Sequence, residues 1–170
     1  MASYPNATYV KDTVTAALLR MMETQVYSTI TISELVKESR VSRSSFYRNF
    51  SDKDAVMQNY LDRLMDSWKE SFTSTTGQDF SDSLLRHFYS HKEFYLLLYR
   101  SGLSWMLYEN IKKSCGVRAD SPAILAYGAA SIAGALFGWA DEWIARGMRE
   151  TPDELKNLAH EYHGFPQNGQ

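Results

Sequence analysis

The sequence is poor in residues that could cross-link the chain or hold a metal ion. Cys115 is its single cysteine, so an intrachain disulfide is excluded. The four histidines do not combine with Cys115 in a spacing typical of metal ligands. Residues 1–10 lack the basic segment and apolar run with which a secretory signal begins. We therefore expect a cytoplasmic protein that folds without a disulfide, a metal or another cofactor.

Sequence signatures of catalysis are lacking as well. The chain has no glycine-rich loop that would bind phosphate and no motif around a nucleophilic serine or cysteine. It also has no carboxylate pair at a spacing that would serve as general acid and base. A small helical enzyme would need such a convergent pair, so we do not expect an enzyme.

Charge is missing from one long stretch, residues 123–140, which is long enough to be considered as a transmembrane helix. Alanine, glycine and serine dominate it, and the acidic Asp141 and Glu142 follow it directly, so we do not expect membrane insertion. Ala130, Gly134 and Gly138 are four residues apart and would let a second helix approach closely. The stretch is therefore expected to be a buried helix at a subunit interface.

Helical periodicity is present along the whole chain, and no strand pairing is predicted. Thr31 with Glu34, and Ser51 with Asp54, have the spacing of capping boxes, and Thr151 followed by Pro152 also predicts a helix start. The predicted fold is all-α with about nine helices. It comprises a three-helix helix-turn-helix domain over residues 1–51 and a C-terminal helical bundle over residues 52–170. The predicted helices cover about residues 10–25, 32–39, 43–50, 51–72, 82–101 with a possible break near Ser90 and His91, 103–114, 122–147, and 152 onward.

Charge is distributed unevenly between the two parts of the chain. Residues 1–60 contain 7 Lys and Arg against 6 Asp and Glu, a net of +1, whereas residues 61–170 contain 11 against 14, a net of −3. The N-terminal part is therefore the better candidate for contact with an anion.

Two short helices joined by a tight turn at residues 40–42 form the pattern of a helix-turn-helix, whose second helix enters the major groove of DNA. In the second helix, small side chains allow a close approach to base edges, and arginines can reach guanine or phosphate. These residues are Ser44, Ser45 and Asn49, with Arg43 and Arg48, after the N-cap Ser42. Val41, Phe46 and Phe50 are expected to hold the second helix on the first.

At these positions the sequence resembles the TetR family of bacterial transcription regulators. The resemblance rests on Phe46-Tyr47-Arg48-Asn49-Phe50-Ser51-Asp52-Lys53, and it extends back to Ile30 and forward to Met57. It implies that Thr31, Tyr47 and Lys53 contact phosphate and that Arg43, Ser44 and Ser45 read bases. The family often has glycine in the turn where this chain has Arg40, so a left-handed conformation is expected of a residue that is not glycine.

The C-terminal part resembles one subgroup of the same family. The resemblance covers residues 95–102 and 134–143, Gly147, and residues 151–155. It implies a homodimer in which the last two helices of each chain form a four-helix bundle with those of the partner. The residues implied at that interface are Leu136, Ala140, Trp143, Leu155, Leu158 and Tyr162.

Aromatic residues crowd the middle of the chain and could either fill a core or line a ligand cavity. The candidate ligand-binding residues are Phe88, Tyr95, Tyr99, Trp105, Tyr108, Tyr127 and Trp139. Two functions remain open. One is a repressor that binds a palindromic double-stranded DNA operator as a homodimer and is released by a small apolar or aromatic effector. The other is a co-regulator or activator that depends on a protein partner and has no small-molecule pocket.

Overall fold

The computed structural model describes residues 6–73, 79–116 and 120–162, and regular secondary structure in these ranges is entirely helical. The predicted all-α fold of about nine helices is confirmed, and so is the break at His91. The helices are α1 (Ala7–Thr24), α2 (Ile32–Ser39), α3 (Arg43–Asn49), α4 (Lys53–Thr73), α5 (Phe80–Ser90), α6 (Lys92–Arg100), α7 (Ser104–Ser114), α8 (Ala123–Ala145) and α9 (Pro152–Glu161), with a 3₁₀ turn (Tyr27–Thr29) between α1 and α2.

Short polar residues start several helices by accepting hydrogen bonds from backbone N–H groups that have no partner within the helix. Thr31 and Glu34 form the predicted capping box at the start of α2. At the start of α9, Thr151 accepts the N–H of Glu154 at 3.3 Å, and Pro152 occupies the first turn. These contacts join residues three apart, which is why the sequence alone locates these helix starts.

The start of α4 differs from the prediction. Ser51 with Asp54 has the spacing of a capping box, but α4 begins at Lys53, and the Asp52 carboxylate accepts the N–H of Ala55 at 2.7 Å. The Asp54 carboxylate instead accepts a hydrogen bond from the Tyr27 hydroxyl at 2.5 Å. A tertiary contact thus uses the carboxylate that the local pattern assigned to the cap.

Helices α1, α2 and α3 pack against one another, and α1 also packs against α4. Val14 and Leu18 of α1, Leu35 of α2 and Phe46 of α3 are completely buried. The apolar face of each helix is therefore turned inward, as helical periodicity requires. This packing fixes the orientation of α3 while its opposite face stays in contact with solvent.

Helix α4 connects this three-helix unit to the rest of the chain. It packs against α1 on one side and against α5 and α7 on the other. Met57 near its start and Met65 near its middle are both completely buried. One cluster of buried apolar residues extends from Val10 of α1 to Leu155 of α9. A change in the tilt of α4 therefore changes the position of the three-helix unit relative to the bundle.

Helix α8 is long and apolar enough, by length and composition, to cross a membrane, and only 11% of its most apolar window is buried within the chain. The core contains Ala133, near the middle of α8, and Ala140, Trp143 and Ile144, towards its C-terminus. The other residues of α8 are exposed or only partly buried in the single chain. Large apolar side chains exposed on its N-terminal half are Ile124, Leu125, Tyr127 and Ile132.

Candidate DNA-binding site

The turn between α2 and α3 is built around Arg40. Its φ of 54° and ψ of 28° lie in the left-handed region, which confirms the expectation drawn from the missing glycine. The N–H of Arg40 bonds the carbonyl of Lys37 at 3.2 Å, and the N–H of Val41 bonds the carbonyl of Val36 at 3.2 Å. These bonds close the C-terminus of α2 and direct the chain into Ser42.

Helix α3 presents a polar and basic face to solvent. Ser42 accepts the N–H of Ser45 at 3.1 Å and so starts the helix. Phe46 is completely buried and fixes the helix on the core. The exposed side chains on the outer face belong to Arg43, Ser44, Tyr47 and Arg48. Their types and positions suit an approach to the major groove.

Ser45 does not belong to this outer face, and its prediction as a base reader is wrong for this geometry. It is only 6% exposed. Its hydroxyl lies 3.0 Å from the Ser42 hydroxyl and accepts a hydrogen bond from Arg48 at 3.0 Å. Asn49 is also turned back, because its side-chain amide donates to the Ser45 carbonyl at 2.8 Å. Periodicity alone does not distinguish a small residue on the outer face from one at its buried edge.

Arg43 keeps donors available for DNA. Arg43 donates to the Ser33 hydroxyl of α2 at 2.7 Å. A guanidinium carries five N–H donors, so one such bond leaves the bidentate edge needed for guanine or phosphate. Arg43 is the first residue of α3, and the N-terminal residues of a recognition helix are the ones that contact base edges.

Thr31 lies at the exposed N-terminus of α2, but its hydroxyl is engaged in the cap. It accepts the N–H of Glu34 at 3.2 Å and donates to the Glu34 carboxylate at 2.7 Å. Hydrogen bonds from the Thr31 hydroxyl and then from its backbone N–H lower the pKa of Glu34. A phosphate contact by Thr31, as the family resemblance implies, would have to share this hydroxyl with the cap.

Lys53 is not the free cation that a phosphate contact needs. Its ammonium donates to the backbone carbonyls of Tyr27 at 2.6 Å, Ser28 at 3.2 Å and Ile30 at 2.9 Å. It also lies 4.5 Å from the centre of the Tyr27 ring. A phosphate contact by Lys53, as the family resemblance implies, would have to displace one of these bonds, and the sequence carried no local signal for partners more than twenty residues away.

The residues predicted at a dimer interface divide into two groups. Ala140 is completely buried inside the single chain and does not line the open groove of about 890 Å³ between α8 and α9, so its prediction as an interface residue is wrong. Trp143 and Leu155 are also largely buried, but both line that groove. Trp143 donates from its indole N–H to the Glu150 carbonyl at 3.0 Å. Leu136 is half-buried, whereas Leu158 is 46% and Tyr162 57% exposed. The last two also border the groove.

The aromatic residues predicted to bind a ligand are not brought together in one cavity. Phe88 and Tyr95 are packed in the core, while Trp105 is 52% and Tyr127 74% exposed. The hydroxyl of Tyr99 donates to Asp141 at 2.7 Å. The two remaining candidates each pack against another ring, Tyr108 against Phe137 at 4.9 Å and Trp139 against Tyr162 at 6.0 Å. The prediction of one aromatic ligand site is therefore wrong.

A cavity that the sequence analysis missed lies between α4 and α5. It has a volume of about 330 Å³ and is lined by Ser67 and Trp68 of α4 and by Ser83, His87 and His91 at α5, among others. The indole N–H of Trp68 donates to the Ser83 hydroxyl at 2.9 Å. Burial, and then the nearby His91, lower the pKa of His87 to about 4. His87 is therefore neutral near pH 7.

Comparison with known families identifies the N-terminal part of the chain. Residues 14–60 match the family described as bacterial regulatory proteins, tetR family, a range that covers most of α1, the helix-turn-helix and the beginning of α4. A comparison with curated proteins found no match. The matched range contains the exposed polar face of α3 and the buried residues that hold it in place. The match supports a TetR family regulator with an N-terminal helix-turn-helix DNA-binding domain.

Proposed function

We propose that this DNA-binding transcription regulator is a cytoplasmic repressor that binds a palindromic operator as a homodimer and is released by a small molecule. The observation that carries the proposal is the outer face of α3. It combines exposed Arg43, Ser44, Tyr47 and Arg48 with a buried Phe46 that holds the helix against α1 and α2. Arginines supply the bidentate contacts by which guanine is read, and Tyr47 and Ser44 can donate to phosphate.

A second copy of the chain is the proposed occupant of the groove between α8 and α9. The exposed small residues Gly134, Ala135 and Gly138 line it on α8, and Leu158 and Tyr162 line it on α9. Small residues allow two helices to approach closely, and a symmetric dimer would pair the same groove on both copies. Two α3 helices held about 34–36 Å apart would then enter successive major grooves.

Release by an effector would act through α4, which starts beside the helix-turn-helix and crosses into the bundle. The cavity between α4 and α5, rather than the scattered aromatic residues, is the proposed place for a small effector. Its volume of about 330 Å³ is at the small end of ligand pockets. A ligand shifts the equilibrium between the DNA-binding and the released conformation only if it binds the released one more tightly. A change in their ratio from 99:1 to 1:99 needs a difference in binding free energy of about 5.5 kcal/mol.

The alternative, a co-regulator or activator that depends on a protein partner, is favoured by one observation. Phe88 and Tyr95 fill the core of the bundle, which leaves little room there for a small molecule. Ile124 and Tyr127 of α8 are exposed instead, as apolar residues that contact a protein partner would be. A thermal-shift screen of small compounds, followed by operator binding with each stabilising compound, separates the two functions. If no compound both stabilises the dimer and lowers its DNA affinity, the partner-dependent function is the better one.

The reading role of α3 is tested by Arg43→Ala. The change removes a side chain that can bond a guanine, so we expect a loss of about 1–3 kcal/mol on the preferred operator and a relaxed base preference. Operators selected from a random DNA pool provide the measurement. Arg20→Ala on α1 is the matched control, because Arg20 is also exposed and bonded to one neighbour, Glu38. An unchanged base preference in Arg43→Ala would show that another element reads the sequence.

A further inference from the structure

We propose that Lys53 is a positioning residue, which fixes α4 to the segment preceding α2 and thereby sets the orientation of the recognition helix. An ammonium has three N–H donors. In Lys53 they are directed at three backbone carbonyls, those of Tyr27 at 2.6 Å, Ser28 at 3.2 Å and Ile30 at 2.9 Å. A phosphate oxygen could bind this group only by displacing one of them.

The contact is reinforced by the next residue of α4. The Asp54 carboxylate accepts the Tyr27 hydroxyl at 2.5 Å, and the Tyr27 ring lies 4.5 Å from the Lys53 ammonium. Lys53 and Asp54 are both half-buried, and Tyr27 is 7% exposed. Low exposure strengthens these charge-assisted hydrogen bonds relative to bonds at the protein surface. Two consecutive side chains of α4 thus hold one segment through its backbone and its one aromatic ring.

The segment that Lys53 and Asp54 hold leads directly into the helix-turn-helix, called the reader below. Ile30 precedes Thr31, the N-cap of α2, and α2 continues through the turn at Arg40 into α3. Because the first turn of α4 is bonded to the start of this unit, a tilt of α4 moves α2 and α3 with it. Without Lys53 the unit would keep its apolar contacts with α1, but its angle to α4 would be less restricted.

In a dimer this restriction determines how strictly the spacing of the two operator half-sites is read. The spacing effect rests on the homodimer proposed above, whereas the effects on stability and on salt dependence do not. A loosely held reader would accept half-sites one base pair further apart more readily than a rigidly held one. The geometry therefore assigns to Lys53 an effect on spacing that a phosphate contact would not have.

The test compares Lys53→Met with Lys37→Met, a change on the exposed face of α2. Both remove one positive charge and keep an apolar stem. For Lys53→Met we expect a melting temperature several degrees lower, operator affinity reduced roughly 2- to 30-fold at every salt concentration, and weaker discrimination against an operator with one inserted base pair. The slope of log affinity against log salt should stay unchanged, and Lys37→Met should keep the wild-type melting temperature.

Two results would overturn the proposal. A phosphate contact predicts a salt slope smaller by about 0.9 with an unchanged melting temperature. A purely structural role predicts a lower melting temperature with normal affinity and normal spacing discrimination well below that temperature. Sedimentation of the wild-type protein and its binding to the two operators are measured first, so failure of the homodimer itself is recognised separately.

Lys53→Arg keeps the test decisive if Lys53→Met does not fold. It retains the positive charge, so a phosphate contact would survive with an unchanged salt slope and full affinity. The planar guanidinium cannot direct three donors at three convergent carbonyls as an ammonium does. We therefore expect Lys53→Arg to lose spacing discrimination while remaining folded, and wild-type discrimination in this variant would contradict the positioning role.

Discussion

Replacing Leu158 with arginine is expected to give a folded monomer that has lost most of its affinity for the operator. Leu158 is 46% exposed in the single chain and borders the groove between α8 and α9, so a charged side chain there is solvated as long as the chain is alone. In the proposed dimer it would be buried without a partner. Leaving such a charge unpaired costs about 3–5 kcal/mol, which weakens dimerisation a few hundred-fold or more.

The loss of dimerisation is expected to carry over to DNA binding. A dimer engages its second half-site at a high effective concentration, an advantage of about 10²–10⁴ that a monomer does not have. Leu158→Arg should therefore bind a single half-site normally and the full operator weakly. Sedimentation gives the assembly state, and titration of one-site and two-site DNA gives the affinities.

Asn157→Arg is the matched control for this change. Asn157 is the preceding residue of α9, is exposed, and does not line the groove. It should remain dimeric with normal operator binding. Leu136→Arg, at another residue implied at the interface, is less informative because Leu136 is half-buried and packs against the core of its own chain. A dimeric Leu158→Arg variant with normal affinity would place the interface elsewhere.

Replacing Phe46 with alanine is expected to abolish operator binding by releasing α3 from the core. Phe46 is completely buried, and its ring lies 5.3 Å from that of Tyr47 and 5.8 Å from that of Phe50. Truncation of a buried phenylalanine costs about 3–5 kcal/mol. That is a large part of the stability of a typical domain, which is about 5–15 kcal/mol.

Thermal unfolding and operator titration measure this effect. At about 2–4 °C per kcal/mol for a chain of this size, the melting temperature should fall by about 6–20 °C. Val26→Ala is the control, since Val26 is an apolar residue of the same region that is 69% exposed. It should change neither quantity. Wild-type stability and affinity in Phe46→Ala would mean that α3 is held by other contacts.

The parts of this protein that the sequence predicted correctly depend on residues close together in the chain. Capping contacts join residues three apart, and helical stripes repeat every three to four residues, so both are visible as spacing. The capping box of Thr31 and Glu34 and the all-α fold were predicted on this basis and are present in the structure. The left-handed Arg40, which the family resemblance implied, is present as well. A local pattern also predicted the helix-turn-helix, and its two helices lie within residues 14–60, the range that matches the family.

Tertiary structure alone decided which neighbour each side chain meets. The partners of Lys53 lie up to 26 residues away, and Asp54 bonds Tyr27 instead of capping its own helix. Periodicity assigns a residue to one face of its helix, but how deeply the residue is buried depends on the other helices that pack against that face. For this reason Ala140 is in the core instead of at a dimer interface, and the aromatic residues predicted to share a ligand site are divided between the core and the surface.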